Sequence, residues 1–220
     1  RRVKSKTRTP RRGSVGRSSF AATRLRHMAL QNRVDPWGKL NSVSARGAWL
    51  GNRGVLHNAE KQIVAPWRHK AWVTCRLEFK GRKREVFSPH RYSELFFLDE
   101  ATSLSAGHRP CAECRRERYM EFKRLWCTAN LGSTSPASVP VACIDKQLHA
   151  DRAIRGGGKV TFQTRFEDLP PGAFIELGGD AFLYWAGELH RWSAYGYSEA
   201  RSELSPSEVV TVLTPVSIVR

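Results

Sequence analysis

The chain changes texture after Gly158. From there the apolar runs KVTFQTRF, GAFIEL, AFLYWA, ELHRWSAYGY and VVTVLTP are short and rich in β-branched and aromatic residues, and PPG, GGD and AG turns cut them apart. Short β-rich runs separated by tight turns predict a small antiparallel sheet or a partly closed barrel. The 220 residues, 40% of them hydrophobic, suffice to bury a core. The class expected is α+β, with a hairpin and a cysteine-bearing unit first and the β-rich domain last.

The hairpin is expected over 71–88: AWVTCRLEF, a KGRK turn, then REVFS. In its first arm Val73, Cys75, Leu77 and Phe79 share one face. A short helix follows over 98–106, with Asp99 and Glu100 in the first turn and Gly107 ending it. A second helix is expected from Pro110, with Tyr119, Phe122 and Trp126 on one face. Ser, Thr and Pro in 128–140 read as a linker, and IDKQLHADRAI reads as a third helix stopped by Gly156–Gly158. The domains expected are therefore 28–127 and 141–220, joined by 128–140.

Charge divides the chain unevenly. Lys and Arg number 37 and Asp and Glu 20, a net +17. Residues 1–27 hold ten of the bases and no acid, which leaves +7 on 28–220. That first segment reads either as a disordered basic arm or as upstream sequence joined by a misplaced start. A basic body points to nucleic acid as partner. No run is apolar enough to span a bilayer, so no membrane partner is expected. Five cysteines, an odd number, do not read as a disulfide framework, and the reducing cytoplasm is the expected location.

Two of those cysteines stand in FFLDEATSLSAGHRPCAECRR. Cys111 and Cys114, at i and i+3 in a first helical turn, share a face and can clasp one ion, and soft thiolate ligands suit zinc. The helix N-terminus and Arg109, Arg115 and Arg116 would lower their pKa values. A closed tetrahedral site needs two more ligands. Cys127 stands about 20 Å away if the helix is unbroken. His90, Cys75 and His108 are the candidates to complete the set.

The same run resembles the second half of the zinc module of Ada-type DNA-repair proteins, the methylphosphotriester repair domain. The matching residues are Phe96, Phe97, Ala101, Ala106, Gly107, Arg109, Pro110, Cys111 and Cys114, with His108 at the usual aromatic position. The resemblance covers about twenty residues and implies zinc on Cys111 and Cys114. The family's first cysteine pair, which contains its methyl-accepting nucleophile, has no counterpart in REVFSPHRYSEL, so methyl transfer is not implied. The whole chain also resembles a bacterial family sharing ELFFLDEAT…AGHRPCAECRR and LHRWSAYGY, and that likeness brings no activity with it.

Other residues offer weaker chemistry. Asp145 and His149, at i and i+4, could form a carboxylate–histidine base, and His57 follows a glycine-rich turn. Trp192 sits among the aromatics of YWAGELHRWSAYGY, where exposed rings could stack bases. The function expected is nucleic-acid binding, DNA over RNA, linked to repair or processing. Zinc would pin a basic helix whose Arg109, Arg115, Arg116, Arg118, Lys123 and Arg124 meet phosphate. The alternatives are a metal-dependent hydrolase or nuclease, and a protein-interaction module with a relic metal site.

Overall fold

The computed structural model describes residues 29–81, 85–132, 135–201 and 204–220. The basic segment 1–27 lies outside the described residues. The α+β class holds, with two six-stranded sheets among the described residues.

The first sheet contains β1 (Arg33–Val34), β2 (Leu40–Asn41), β3 (Trp49–Asn52), β4 (Val73–Cys75), β5 (Leu95–Phe97) and β6 (Arg109–Pro110), in the order β2-β1-β5-β3-β4-β6. It is mixed: β1 runs parallel to β5 and β4 parallel to β6, and the other pairs are antiparallel. Between β5 and β6 lies α1 (Glu100–Ser105), where the sequence placed a helix. Asp99 caps it by accepting from the Thr102 N–H at 2.7 Å, and Glu100 occupies the first turn. Gly107 follows with φ 85°, and a Cβ there would lie 2.2 Å from Cδ of Arg152. Only glycine lets Arg152 cross the chain at that point.

Two helices come next: α2 (Arg116–Leu131) and α3 (Val141–Arg152). The second sheet follows: β7 (Phe162–Arg165), β8 (Phe174–Leu177), β9 (Asp180–Trp185), β10 (Glu188–Ser193), β11 (Gly196–Arg201) and β12 (Val209–Val212). It is antiparallel throughout, in the order β11-β10-β9-β8-β12-β7. The short helix α4 (Val216–Val219) ends the chain.

Two local expectations are corrected. The hairpin over 71–88 does not form: β4 is flanked by β3 and β6, which take both of its edges, and the chain leaves the sheet after Cys75. Lys80 and Gly81 turn with positive φ, residues 82–84 lie outside the described residues, and Phe87 sits in a turn where its N–H donates to Glu94. The second helix begins at Arg116, not Pro110. Pro110 instead lies in β6, an edge strand, where a residue without an N–H is tolerated.

Both faces of the second sheet are apolar. Ile175, Phe182, Leu189, Val210 and Val212 bury one face. Phe174, Ala181 and Leu183 alternate with them and, with Leu213, pack on Trp37, Ala101 and Trp192. The first sheet keeps its own cluster around Leu56, Leu95 and Phe97, and these contacts of Trp37 and Ala101 join it to the second. Trp126 and Cys127 of α2 join Ile144 and Leu148 of α3, with Ile218 of α4 beside them, so the segment 128–140 links two helices of one cluster.

Candidate metal centre

Two separated pieces of backbone deliver three sulfurs to one place. Cys75 ends β4, Cys111 follows β6, and Cys114 closes the turn before α2. The parallel pairing of β4 with β6 sets Thr74 opposite Pro110, and the Cys111 N–H donates to the Thr74 carbonyl at 2.9 Å. The Cys111 carbonyl in turn accepts from the Arg115 N–H at 3.1 Å, which joins the turn to the start of α2. The three Sγ atoms lie within 4.8 Å of one another. This set can hold a metal ion.

The backbone is arranged for thiolates. N–H groups of Glu113 and Cys114 donate to the Cys111 sulfur, and the Arg76 N–H donates to that of Cys114. Without a cation the three sulfurs share little charge. The Cys111 thiol is pulled down to about 5, first by the hydrogen bond from Cys75 and then by those N–H groups, against the effect of burial. Cys75 is pushed up by that same hydrogen bond, by burial and by its neighbours' charge, and Cys114 is pushed up mainly by burial. A cavity of about 320 Å³ adjoins the sulfurs, with Leu50, Phe79, Tyr92 and Phe96 among its walls.

The other candidate ligands stand apart from this set. His108 is fully buried, its ring 4.7 Å from that of Phe97 and 5.2 Å from that of Trp72. Its Nε2 accepts from Nε of Arg53 at 3.1 Å, which leaves the proton on Nδ1. Burial and then the charges of Arg53, Arg152 and Lys159 push its pKa well down, so it is neutral. His90 is exposed in a turn with φ 60°.

The proposed bases are engaged elsewhere. Nε and Nη2 of Arg109 donate to the two carboxylate oxygens of Asp145 at 2.7 and 2.8 Å, so Asp145 does not orient His149. His149 packs edge-on against Trp67 and Trp72. His57 stacks on Phe87 with centroids 4.6 Å apart, and its ring nitrogens meet Ser93 Oγ and the Ser88 carbonyl.

The basic residues divide by partner. Arg109 is buried against Asp145, and Arg115 is buried against Glu100 with its guanidinium 3.9 Å from the centroid of Trp49. Neither faces solvent, because each guanidinium is held by a carboxylate inside the fold. Arg118 pairs with Glu100 and Glu121. Arg116 and Arg124 are exposed on α2 and Lys123 is half-buried. Trp192 is half-buried, and its Nε1 donates to Thr102 Oγ1 at 3.1 Å; Tyr195 beside it is the exposed ring.

The sequence reading missed a second convergence of charge, formed by Arg53, Arg152 and Lys159 around Trp72. No helix among the described residues is long and apolar enough to cross a membrane. Comparison with family models, with curated proteins and with solved structures finds no match to this chain.

Proposed function

We propose that the protein binds nucleic acid, DNA in preference to RNA, through a surface that a zinc ion on Cys75, Cys111 and Cys114 holds in place. The observation that carries the reading is the convergence of three sulfurs from β4, β6 and the turn before α2. Three thiolates are a soft donor set, and backbone N–H groups already point at two of the sulfurs, so the residues fit zinc. Zinc would supply the positive charge that lets all three sulfurs stay ionised together. The chain's own residues do the rest. Cys111 and Cys114 fix the first turn of α2, and that helix carries Arg116, Lys123 and Arg124 with no ion pair among the described residues. The net +7 of residues 28–220 favours phosphate as their partner. The resemblance to the Ada-type module supports DNA and a repair or processing role.

Elemental analysis of the purified full chain, beside Cys75→Ser and Cys111→Ser, tests the metal. About one zinc per chain is expected, and it should be lost in both variants. Fluorescence anisotropy with a labelled duplex tests the partner. Affinity should fall steeply between low and physiological salt, and it should fall further in Arg116→Glu/Arg124→Glu. A folded, metal-free wild type, or duplex affinity indifferent to salt, would overturn the reading.

One observation favours a second reading. The described set has three ligands beside a cavity, and three protein ligands with an open position mark catalytic zinc. A metal-dependent hydrolase would show turnover of phosphodiester substrates that chelation abolishes while the fold persists.

A further inference from the structure

A second cavity lies away from the cysteines. A cavity of about 550 Å³ opens between the loops of the first sheet and the Gly157–Gly158 turn. Four cationic side chains line it, Lys39, Arg53, Arg152 and Lys159, and no acidic one does. Its remaining walls include Trp37, Trp67 and Trp72.

Two of these cations are buried and only partly answered. Arg53 and Arg152 are each 2% exposed. Their guanidinium carbons lie 4.1 and 4.0 Å from the centroid of Trp72. Arg53 donates through Nε to His108 and through Nη1 to the Gly38 carbonyl at 2.8 Å. Arg152 donates through Nη1 to the Gly107 carbonyl and through Nη2 to the Lys70 carbonyl. Arg53 Nη2 and Arg152 Nε are buried with no partner among the described residues. Lys159 Nζ donates to the Ser105 carbonyl. Asp35, the acid nearest Arg53 and Lys159, already accepts from the Lys39 N–H and from Asn41, each at 2.9 Å.

Carbonyls and rings orient these groups; Asp35 acts on Arg53 and Asp145 and Asp151 act on Arg152, but neither guanidinium is ion-paired among the described residues. Cations converging on an open cavity that no acidic side chain lines are the arrangement that an anion completes. A cavity of this size holds more than an inorganic ion, and its tryptophan walls suit a planar ring.

We infer that this cavity binds a nucleotide, with the phosphate held by Arg53, Arg152 and Lys159 and the base against Trp37 or Trp67. The nucleotide is either free or the 5′-phosphorylated end of a strand, and only the strand form rests on the nucleic-acid reading above. Burial and then the neighbouring Arg53 and Arg152 push Lys159 down to about 7, which agrees with positive charge unmet in the ligand-free protein.

Tryptophan fluorescence titration of the full chain tests the inference with inorganic phosphate, 5′-mononucleotides, the matching nucleosides, and a short oligonucleotide with and without a 5′-phosphate. Saturable quenching by mononucleotide is expected, at least tenfold tighter than by nucleoside or by phosphate. Lys159→Gln, which removes the charge and keeps a polar side chain, should weaken it at least tenfold in protein that circular dichroism shows to be folded, and Arg53→Lys should weaken it as well. An oligonucleotide that binds more tightly than the mononucleotide, and only when 5′-phosphorylated, identifies a strand end; the reverse order identifies a free nucleotide. Quenching by neither ligand in folded wild type, or quenching indifferent to both substitutions, overturns the inference. Oligonucleotide binding that ignores the 5′-phosphate and Lys159→Gln does so too, while leaving the nucleic-acid reading intact.

Discussion

A guanidinium taken out of water keeps its place only against groups that satisfy it, and the buried arginines of this chain are satisfied in two ways. Arg109 and Arg115 meet carboxylates, Asp145 and Glu100, and serve the fold. Arg53 and Arg152 meet carbonyls, a neutral imidazole and the indole of Trp72, and carboxylates act on them without an ion pair among the described residues. Lys159 feels both. Its folded pKa of about 7 lies below its ordinary 10.5, so between those values the unfolded chain holds a proton that the folded chain has lost. Stability therefore rises with pH across that window, and the full penalty of the buried charge is present below about 7. The charged groups facing Lys159 are Arg53, Arg152 and Asp35, with neutral His108 close by. Denaturant unfolding at pH 6.5, 8 and 9.5 should show wild type gaining on Lys159→Met at low pH least and at high pH most. Equal differences at all three values would remove Lys159 as the cause.

At the scale of elements, α2 connects the cysteine turn to the helical core. It buries Tyr119, Trp126 and Cys127 and leaves its basic residues outward. Its end is set by Gly132, in the left-handed region at φ 60°, whose N–H caps the Cys127 and Thr128 carbonyls. A Cβ on Gly132 would meet nothing within 4 Å, so Gly132→Ala isolates the backbone penalty. It should cost about 1–2 kcal/mol in denaturant unfolding, and any metal that wild type binds should be retained. Loss of metal in that variant would mean that the helix end, and not only its start, holds the cysteine turn.

For the whole molecule, each sheet has its own buried cluster, around Leu56, Leu95 and Phe97 in the first and Ile175, Phe182 and Val212 in the second, and a third cluster joins them. Trp37, Ala101 and Trp192 pack on Phe174, Ala181, Leu183 and Leu213, Trp37 donates to Glu176 at 2.6 Å, and Tyr197 donates to Asp99. Asp145 binds Arg109 and so ties α3 to β6 of the first sheet. Such coupling predicts one unfolding transition, with tryptophan fluorescence and far-ultraviolet circular dichroism changing together. Two resolved transitions would show that each sheet folds on its own.

The sequence by itself determined what depends on near neighbours. Alternating apolar residues and PPG, GGD and AG turns specified the second sheet, because strand faces and tight turns are set within a few residues. Asp99, Glu100 and Gly107 specified α1 for the same reason, and the spacing of Cys111 and Cys114 specified a pair able to share an ion. Cys75 stood behind His90, which lies just before the helix that carries the pair, and read more readily as a buried small residue on the hairpin's apolar face. The tertiary structure decided for Cys75, since the parallel pairing of β4 with β6 joins residues more than thirty apart in sequence. It also decided which arginines are free, because Arg109 looks the same in sequence whether or not Asp145 folds against it. The cationic cavity lay furthest from view. Arg53, Arg152 and Lys159 come from distant segments, each reading alone as an ordinary surface charge, and only packing around Trp72 and the bare backbone of Gly107 brings them together.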